Sequence, residues 1–148
     1  SALNYRFSKG FSGTLNYTYS DFKYKDYEAN GARFDGNRQP GVPQHQVFAV
    51  LQWEHRSGFF MSVQARRVSK VFVDDANSAY DPAYTLGALR AAYSIVLPKG
   101  VQMEPFAGVN NLFGATYSNN LLLNAVGGRF FEPAADEQTV YAGVKVRF

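Results

Sequence analysis

The chain has 148 residues, no cysteine and a formal net charge of +3, with 10 Tyr and 13 Phe among its aromatic residues. The length suits one domain, the missing cysteines exclude a disulfide framework and a thiolate metal site, and the small charge, with no basic cluster beyond Arg66-Arg67, gives no support to a nucleic-acid partner. A mean hydropathy of −0.27 and the lack of any apolar run near 18 residues exclude a transmembrane helix, but not membrane-crossing strands, which are half polar by nature.

The chain opens on Ser1-Ala2-Leu3-Asn4-Tyr5-Arg6, without the regions of an export signal, so any such signal is expected upstream or already removed. A first short strand sets Leu3, Tyr5 and Phe7 against Asn4 and Arg6 and turns at Lys9-Gly10. The second sets Leu15, Tyr17 and Tyr19 against Thr14, Asn16, Thr18 and Ser20, and a long polar connection follows over residues 28–42. The third opposes Val47, Ala49, Leu51 and Trp53 to Gln46, Phe48, Val50, Gln52 and Glu54, then turns at Arg56-Ser57-Gly58. The fourth opposes Phe59, Met61, Val63 and Ala65 to Ser62, Gln64 and Arg66, ahead of a long connection at residues 74–83. The fifth opposes Leu89, Ala91, Tyr93, Ile95 and Leu97 to Ala88, Arg90, Ala92 and Ser94 and turns at Pro98-Lys99-Gly100. The sixth opposes Val101, Met103, Pro105, Ala107 and Val109 to Gln102, Glu104, Phe106, Gly108 and Asn110; proline has no N–H to give, so a bulge or a missing ladder bond is predicted at Pro105. After a third long connection at residues 118–138, the last strand places Val140, Ala142, Val144, Val146 and Phe148 on one face and Tyr141, Gly143, Lys145 and Arg147 on the other.

Short and long connections strictly alternate, as the periplasmic turns and extracellular loops of an outer-membrane barrel do. Roughly 9 to 11 tilted residues cross a bilayer, a length that suits these strands except the first, which is too short to cross and starts in mid-pattern. The fold class predicted is therefore all-β, with antiparallel transmembrane β-barrel strands whose apolar face meets outer-membrane lipid. Phe11, Trp53, Phe59, Tyr117 and Phe148 lie near strand ends, where interfacial girdles are expected. Single-chain bacterial barrels use even strand numbers, and a seven-stranded sheet leaves two edges that neither lipid nor water tolerates. The chain is expected to be the C-terminal part of a larger barrel; a homo-oligomer of the piece is a second way to close its edges.

The alternation of Val144, Val146 and a terminal Phe148 resembles the signal that barrel-insertion machinery reads in bacterial outer-membrane proteins. The stretch Pro105-Phe106-Ala107-Gly108-Val109-Asn110-Asn111-Leu112-Phe113, followed by Tyr117, resembles the penultimate-strand motif of TonB-dependent outer-membrane receptors. Gly128-Arg129-Phe130-Phe131-Glu132-Pro133, a short acidic loop and Val140-Tyr141-Ala142-Gly143-Val144 resemble that family's last loop and strand. Residues 1–104 match only in architecture, and Gly114 stands where the family commonly carries Asp. The resemblance implies a 22-stranded barrel, a plug domain that this chain does not hold, an energy-transducing partner, and uptake of a bulky chelate, most often a ferric siderophore.

Tyr80, Arg129, Phe130 and Phe131 suit anionic, catechol-bearing or planar chelates, or else anchor their loops to the rim. Asp74, Asp75 and Asp81 are oxygen ligands for a hard cation or solvated loop acids. Arg66, Lys70, Arg90, Lys145 and Arg147 are placed on the inner face, with Glu54 and Glu104 as partners, to meet a plug or one another. His45 and His55 lie about 33 Å apart along one strand, which excludes a shared metal. No cofactor is implied. Ser57 near His55 lacks a nucleophile elbow, so no enzyme is expected. Two competing readings are a small independent outer-membrane barrel with a structural or adhesive role and a soluble β-sandwich binding module. The sandwich requires Leu15, Leu51, Val63, Ile95 and Val144 to share a dry core.

Overall fold

The structure, a computed structural model, describes residues 1–7, 9–134 and 137–148. Seven wall strands run through it: β1 (Ala2–Arg6), β2 (Phe11–Tyr19), β5 (His45–Glu54), β6 (Phe59–Val68), β9 (Tyr84–Tyr93), β11 (Gln102–Asn110) and β14 (Thr139–Arg147). The connections carry the small pieces β3 (Glu28–Ala29), β4 (Ala32–Arg33), β7 (Val71–Phe72), β8 (Tyr80–Asp81), β10 (Ile95–Val96), β12 (Ser118–Leu121) and β13 (Phe131–Pro133). The wall strands form one antiparallel meander in the order β1-β2-β5-β6-β9-β11-β14, with β10 extending the β9 ladder along β11. The sheet is open, its edges being β1 and β14 among the described residues.

Residues directly opposite in an antiparallel ladder share a face. One row therefore runs Gly13, Leu51, Val63, Leu89, Val109, Val140 across six strands, and the next runs Phe11, Trp53, Met61, Ala91, Ala107, Ala142. Between them on the other face lie Ser12, Gln52, Ser62, Arg90, Gly108 and Tyr141. A single sheet with one apolar and one polar face has no second layer to cover it. Leu51 is 47 % and Val63 38 % exposed, and Val73 is the only fully buried large side chain among the described residues. The soluble-sandwich reading fails on this point, since the residues it requires in a dry core lie on one bare face.

Each short turn leaves three residues between a closing pair: Phe7 and Phe11, His55 and Phe59, Leu97 and Val101, where the first N–H of each pair bonds the second carbonyl at 2.8 Å. Each ends on a glycine of positive φ, at Gly10, Gly58 and Gly100. At two of these positions space as well as φ demands glycine, because a Cβ would stand 2.0 Å from the Glu54 carbonyl oxygen at Gly10 and 2.5 Å from that of Ser94 at Gly58.

At Pro105 the ladder bond is lost, but no bulge forms. β11 pairs β9 from Val109↔Leu89 to Phe106↔Ala92 and resumes at Met103↔Ile95 in the same register, so the gap falls opposite the proline, while pairing with β14 is unbroken. At the turn end, where a girdle is expected, Phe11 stacks on Trp53 at 5.5 Å and Trp53 meets Phe59 edge-on at 5.7 Å. Tyr117 departs from that expectation: it stacks at 5.1 Å on Tyr84, which the register places on the inner face with Val68 and Arg66. The long connections are also longer than the sequence suggests, because β2 ends at Tyr19, β6 at Val68 and β11 at Asn110.

Candidate functional site

The three long connections gather at the end of the sheet opposite the short turns, and Asp75 is where they meet. Its carboxylate accepts bonds from the Tyr24 hydroxyl at 2.6 Å, the Tyr27 hydroxyl at 3.3 Å and Asn124 Nδ2 at 3.1 Å. Its backbone N–H donates to Asn124 Oδ1 at 2.9 Å, and its carbonyl accepts from Asn37 Nδ2 at 2.8 Å. One residue of the middle loop thus holds both of the others. Asn77 repeats the device, accepting from the Arg38 N–H at 2.7 Å and returning a bond to the Arg38 carbonyl at 2.8 Å. Asn77 and Asn124 adopt positive φ, 55° and 51°, which asparagine tolerates better than most residues because its short amide bonds the local backbone. Beneath them Val71 and Val73 form the small dry centre of the cluster, and Asn124 N–H bonds the Val73 carbonyl at 2.8 Å.

This packing perturbs the titrating groups. Burial, then the hydrogen bond and charge of Asp75, push the Tyr24 phenol up to about 12. Burial opposes ionisation of Asp74, but bonds from the Ser78 hydroxyl and from the backbone N–H groups of Ser78 and Ala79 outweigh it and hold the carboxyl below its usual value. Bonds from the Tyr27 N–H and Arg33 likewise hold Asp35 down. Asp81 is buried and accepts from Ser118 Oγ at 2.7 Å. Asp74, Asp75 and Asp81 are therefore structural acceptors, not the solvated acids of one sequence reading. Among the described residues no group of three or more His, Asp or Glu gathers as metal ligands.

A concavity of about 460 Å³ lies over the cluster, lined by Tyr27, Phe34, Asp75, Asn124 and Phe130. Of the four residues proposed from sequence for a ligand, Phe130 alone lines it. Phe131 packs edge-on against Phe130 at 6.0 Å, and Arg129 beside them is exposed, with no ion pair to a described carboxylate. Tyr80 stands apart in the β7–β8 hairpin, half exposed beside Phe72, with Lys70 Nζ 5.3 Å above its ring. Lys70 is thereby a loop residue and not part of the inner wall. Tyr24, Tyr27, Phe34, Asn37, Asn77 and Asn124 went unnoticed in the sequence; their only signal there is a density of Tyr and Asn in otherwise polar connections.

A second concavity, about 390 Å³, opens on the inner face below the loops between Phe48, Gln64, Arg66, Ala88, Asn110 and Tyr117. Asn111 shapes its rim. It is buried at φ 47°, and its amide clamps the next turn by bonding the Ala115 carbonyl and N–H, both at 2.9 Å. Leu112 N–H bonds the Gly87 carbonyl at 2.8 Å, and Phe113 lies over Gly87 so closely that a Cβ there would stand 2.6 Å from its ring. The Asn-Leu-Phe triplet thus fastens the loop back onto the wall. Lower on the inner face Arg90 meets Glu104 at 3.4 Å and lies 4.8 Å from the Phe106 ring, and Phe106 and Tyr141 fill the space left by Gly143 and Gly108 opposite them.

A one-layered antiparallel wall, apolar on one face, polar on the other, tightly turned at one end and looped at the other, defines a segment of transmembrane β-barrel. The chain belongs to the TonB-dependent receptor-like β-barrel family, whose model matches residues 2–112. That match covers the stretch tied to the family only by architecture in the sequence, and stops short of Phe113 and Tyr117. Its fold is similar to the siderophore receptor PiuA from Acinetobacter baumannii, with a TM-score of 0.76 and 20 % identity over 99 % of this chain and 21 % of that one. It is equally similar to BauA, the ferric preacinetobactin receptor of the same organism, at 0.76 and 21 % identity over 93 % of this chain and 20 % of that one. The chain spans about a fifth of the length of either receptor. The family is one of receptors, not of enzymes.

Proposed function

We propose that this chain is the C-terminal wall and loop segment of an outer-membrane receptor that imports a bulky metal chelate of the ferric-siderophore kind, with a plug domain and an energy-transducing partner contributed elsewhere in the system. The observation that carries the reading is the one-sided sheet whose three long loops lock into a single aromatic-lined unit at the end away from the tight turns. Phe130, Tyr27 and Phe34 offer ring faces, and Arg129 offers an exposed guanidinium with no ion pair among the described residues, a combination suited to an anionic chelate with aromatic donors. Phe131 backs that surface through its contact with Phe130, and Tyr80, in the separate β7–β8 hairpin, offers a further ring on the loop end. The polar inner face, with Arg66 and the Arg90–Glu104 pair, serves as the plug's counterpart. Val144, Val146 and Phe148 serve as the insertion signal. Asn110, Asn111, Leu112, Phe113 and Tyr117 anchor the loop that carries Phe130.

The test uses the full-length receptor in outer-membrane vesicles and the ferric complexes of a tris-catecholate and a tris-hydroxamate. Quenching of intrinsic fluorescence by one of them, weakened at least tenfold by Tyr27→Ala with Phe130→Ala, is the expected result. If neither complex binds, or both bind the double variant unchanged, the chelate reading of this surface is wrong.

A further inference from the structure

The outward face of the seven wall strands obeys the apolar rule except at one end. Among the described residues its only formal charge is Arg67, one position before β6 ends at Val68, on the side where the long loops lie. The register places Arg67 in the row Tyr17, Val47, Arg67, Thr85, and the next row toward the loops holds Tyr19 and His45. Ser69 faces His45 there, with its Oγ accepting the His45 N–H at 3.0 Å. Tyr17 Oη and His45 Nδ1 share a hydrogen bond at 2.8 Å, and the Tyr19 ring lies 5.2 Å from the imidazole. Arg67 is exposed, has no ion pair among the described residues, and spends one of its five N–H donors on Thr85 Oγ1 at 2.8 Å.

A guanidinium on the lipid face costs roughly 2–4 kcal/mol at the bilayer midplane but about 0–1 near an interface, so this depth tolerates it. Toleration leaves four of its donors without acceptors among the described residues. At the level of the headgroups, phosphate oxygens supply both acceptors and charge, and a guanidinium fork binds them bidentately. The surrounding phenols are suited to the same depth, with rings toward hydrocarbon and hydroxyls toward water.

We propose that Arg67, flanked by Tyr17, Tyr19, His45 and Thr85, binds the phosphate of an anionic lipid in the leaflet at the loop end. The proposal rests on the membrane-wall reading above. The fork holds the phosphate, the Tyr19 hydroxyl and the one proton that the Tyr17–His45 pair does not use internally bond its remaining oxygens or the adjoining glycerol, and the apolar row from Gly13 through Leu51 to Val63 receives the acyl chains.

The experiment uses the full-length receptor purified in a neutral detergent, with native mass spectrometry reading the retention of phosphatidic acid against phosphatidylcholine of the same chains. The expected preference for phosphatidic acid is at least fivefold, abolished by Arg67→Gln, partly kept by Arg67→Lys, and unchanged by Lys145→Gln on the inner face. The lysine variant also keeps the test alive if the glutamine variant fails to fold. A preference that survives Arg67→Gln, or none in the unaltered protein, overturns the site while leaving the wall reading intact. A receptor that stays monomeric and folded without detergent overturns both.

Discussion

Replacing Asp75 by alanine tests whether the three long loops are one body. The substitution removes the acceptor of a 2.6 Å bond from Tyr24, a 3.1 Å bond from Asn124 and a long 3.3 Å bond from Tyr27. A hydrogen bond to a charged group contributes about 1.5–3 kcal/mol, and the cluster is only partly buried, so the two short bonds at the low end amount to about 3 kcal/mol. At 1.4 kcal/mol per decade that is roughly a hundredfold in a local opening equilibrium. The loss is local, because the wall strands are joined by ladders that Asp75 does not touch. Hydrogen exchange of the receptor in detergent reads the effect directly. Amides of the first loop that depend on its docking, those of Tyr24, Gly36, Asn37 and Gln39, and the amide of Asn124 in the third loop are expected to exchange up to a hundredfold faster, with β5, β6 and β9 unchanged. Asp75→Asn keeps the shape and one acceptor oxygen and is expected to give a smaller acceleration. Acceleration confined to residues 69–83 would refute the interlocked unit.

The Tyr24 phenol ionises near 10.0 in a free chain and at about 12 in the folded one, so the folded state binds the extra proton between those values. Loop stability is accordingly full below pH 10 and falls as pH rises toward 12; the charge of Asp75 also raises the Tyr27 phenol, so absorbance titration should show late-titrating tyrosine whose latest component is lost in Tyr24→Phe. Ala49 faces outward between Leu15 and Ala65, and Val50 faces inward between Thr14 and Gln64, both at mid-strand. Arg at position 49 should cost about 2–4 kcal/mol in urea unfolding from lipid vesicles, whereas Arg at 50 should cost far less; equal costs would reverse the face assignment. A Cβ at Gly143 would meet the Phe106 ring at 2.6 Å, while one at Gly108 would meet the Tyr141 ring at 2.4 Å and also the Leu89 carbonyl oxygen at 2.8 Å. Both Gly→Ala changes should destabilise by about 1–3 kcal/mol, but Phe106→Ala should rescue Gly143→Ala while Tyr141→Ala leaves Gly108→Ala impaired, because a backbone oxygen cannot swing aside.

The wall was legible in the sequence because strand periodicity is local. Val140, Ala142, Val144 and Val146 declare their face by spacing alone, whichever strand they pair with, and Gly10, Gly58 and Gly100 declare their turns by a backbone need that few other residues meet. Even the lost bond at Pro105 follows from one missing N–H. The loops were not legible, because their identity depends on partners far away in the chain. Tyr24 and Asp75 lie 51 residues apart, and Asp75 and Asn124 lie 49 apart. Nothing in the local pattern around any of them says that a hydroxyl, a carboxylate and an amide will converge once the sheet has brought three strand ends side by side. The same holds for Tyr117, whose place near a strand end suggested lipid until the turn clamped by Asn111 carried it inward onto Tyr84. Side-chain alternation thus determined what each strand shows to lipid and to water, whereas only the assembled sheet decided which loop residues meet, since those contacts exist only after strand pairing has closed the distance between them.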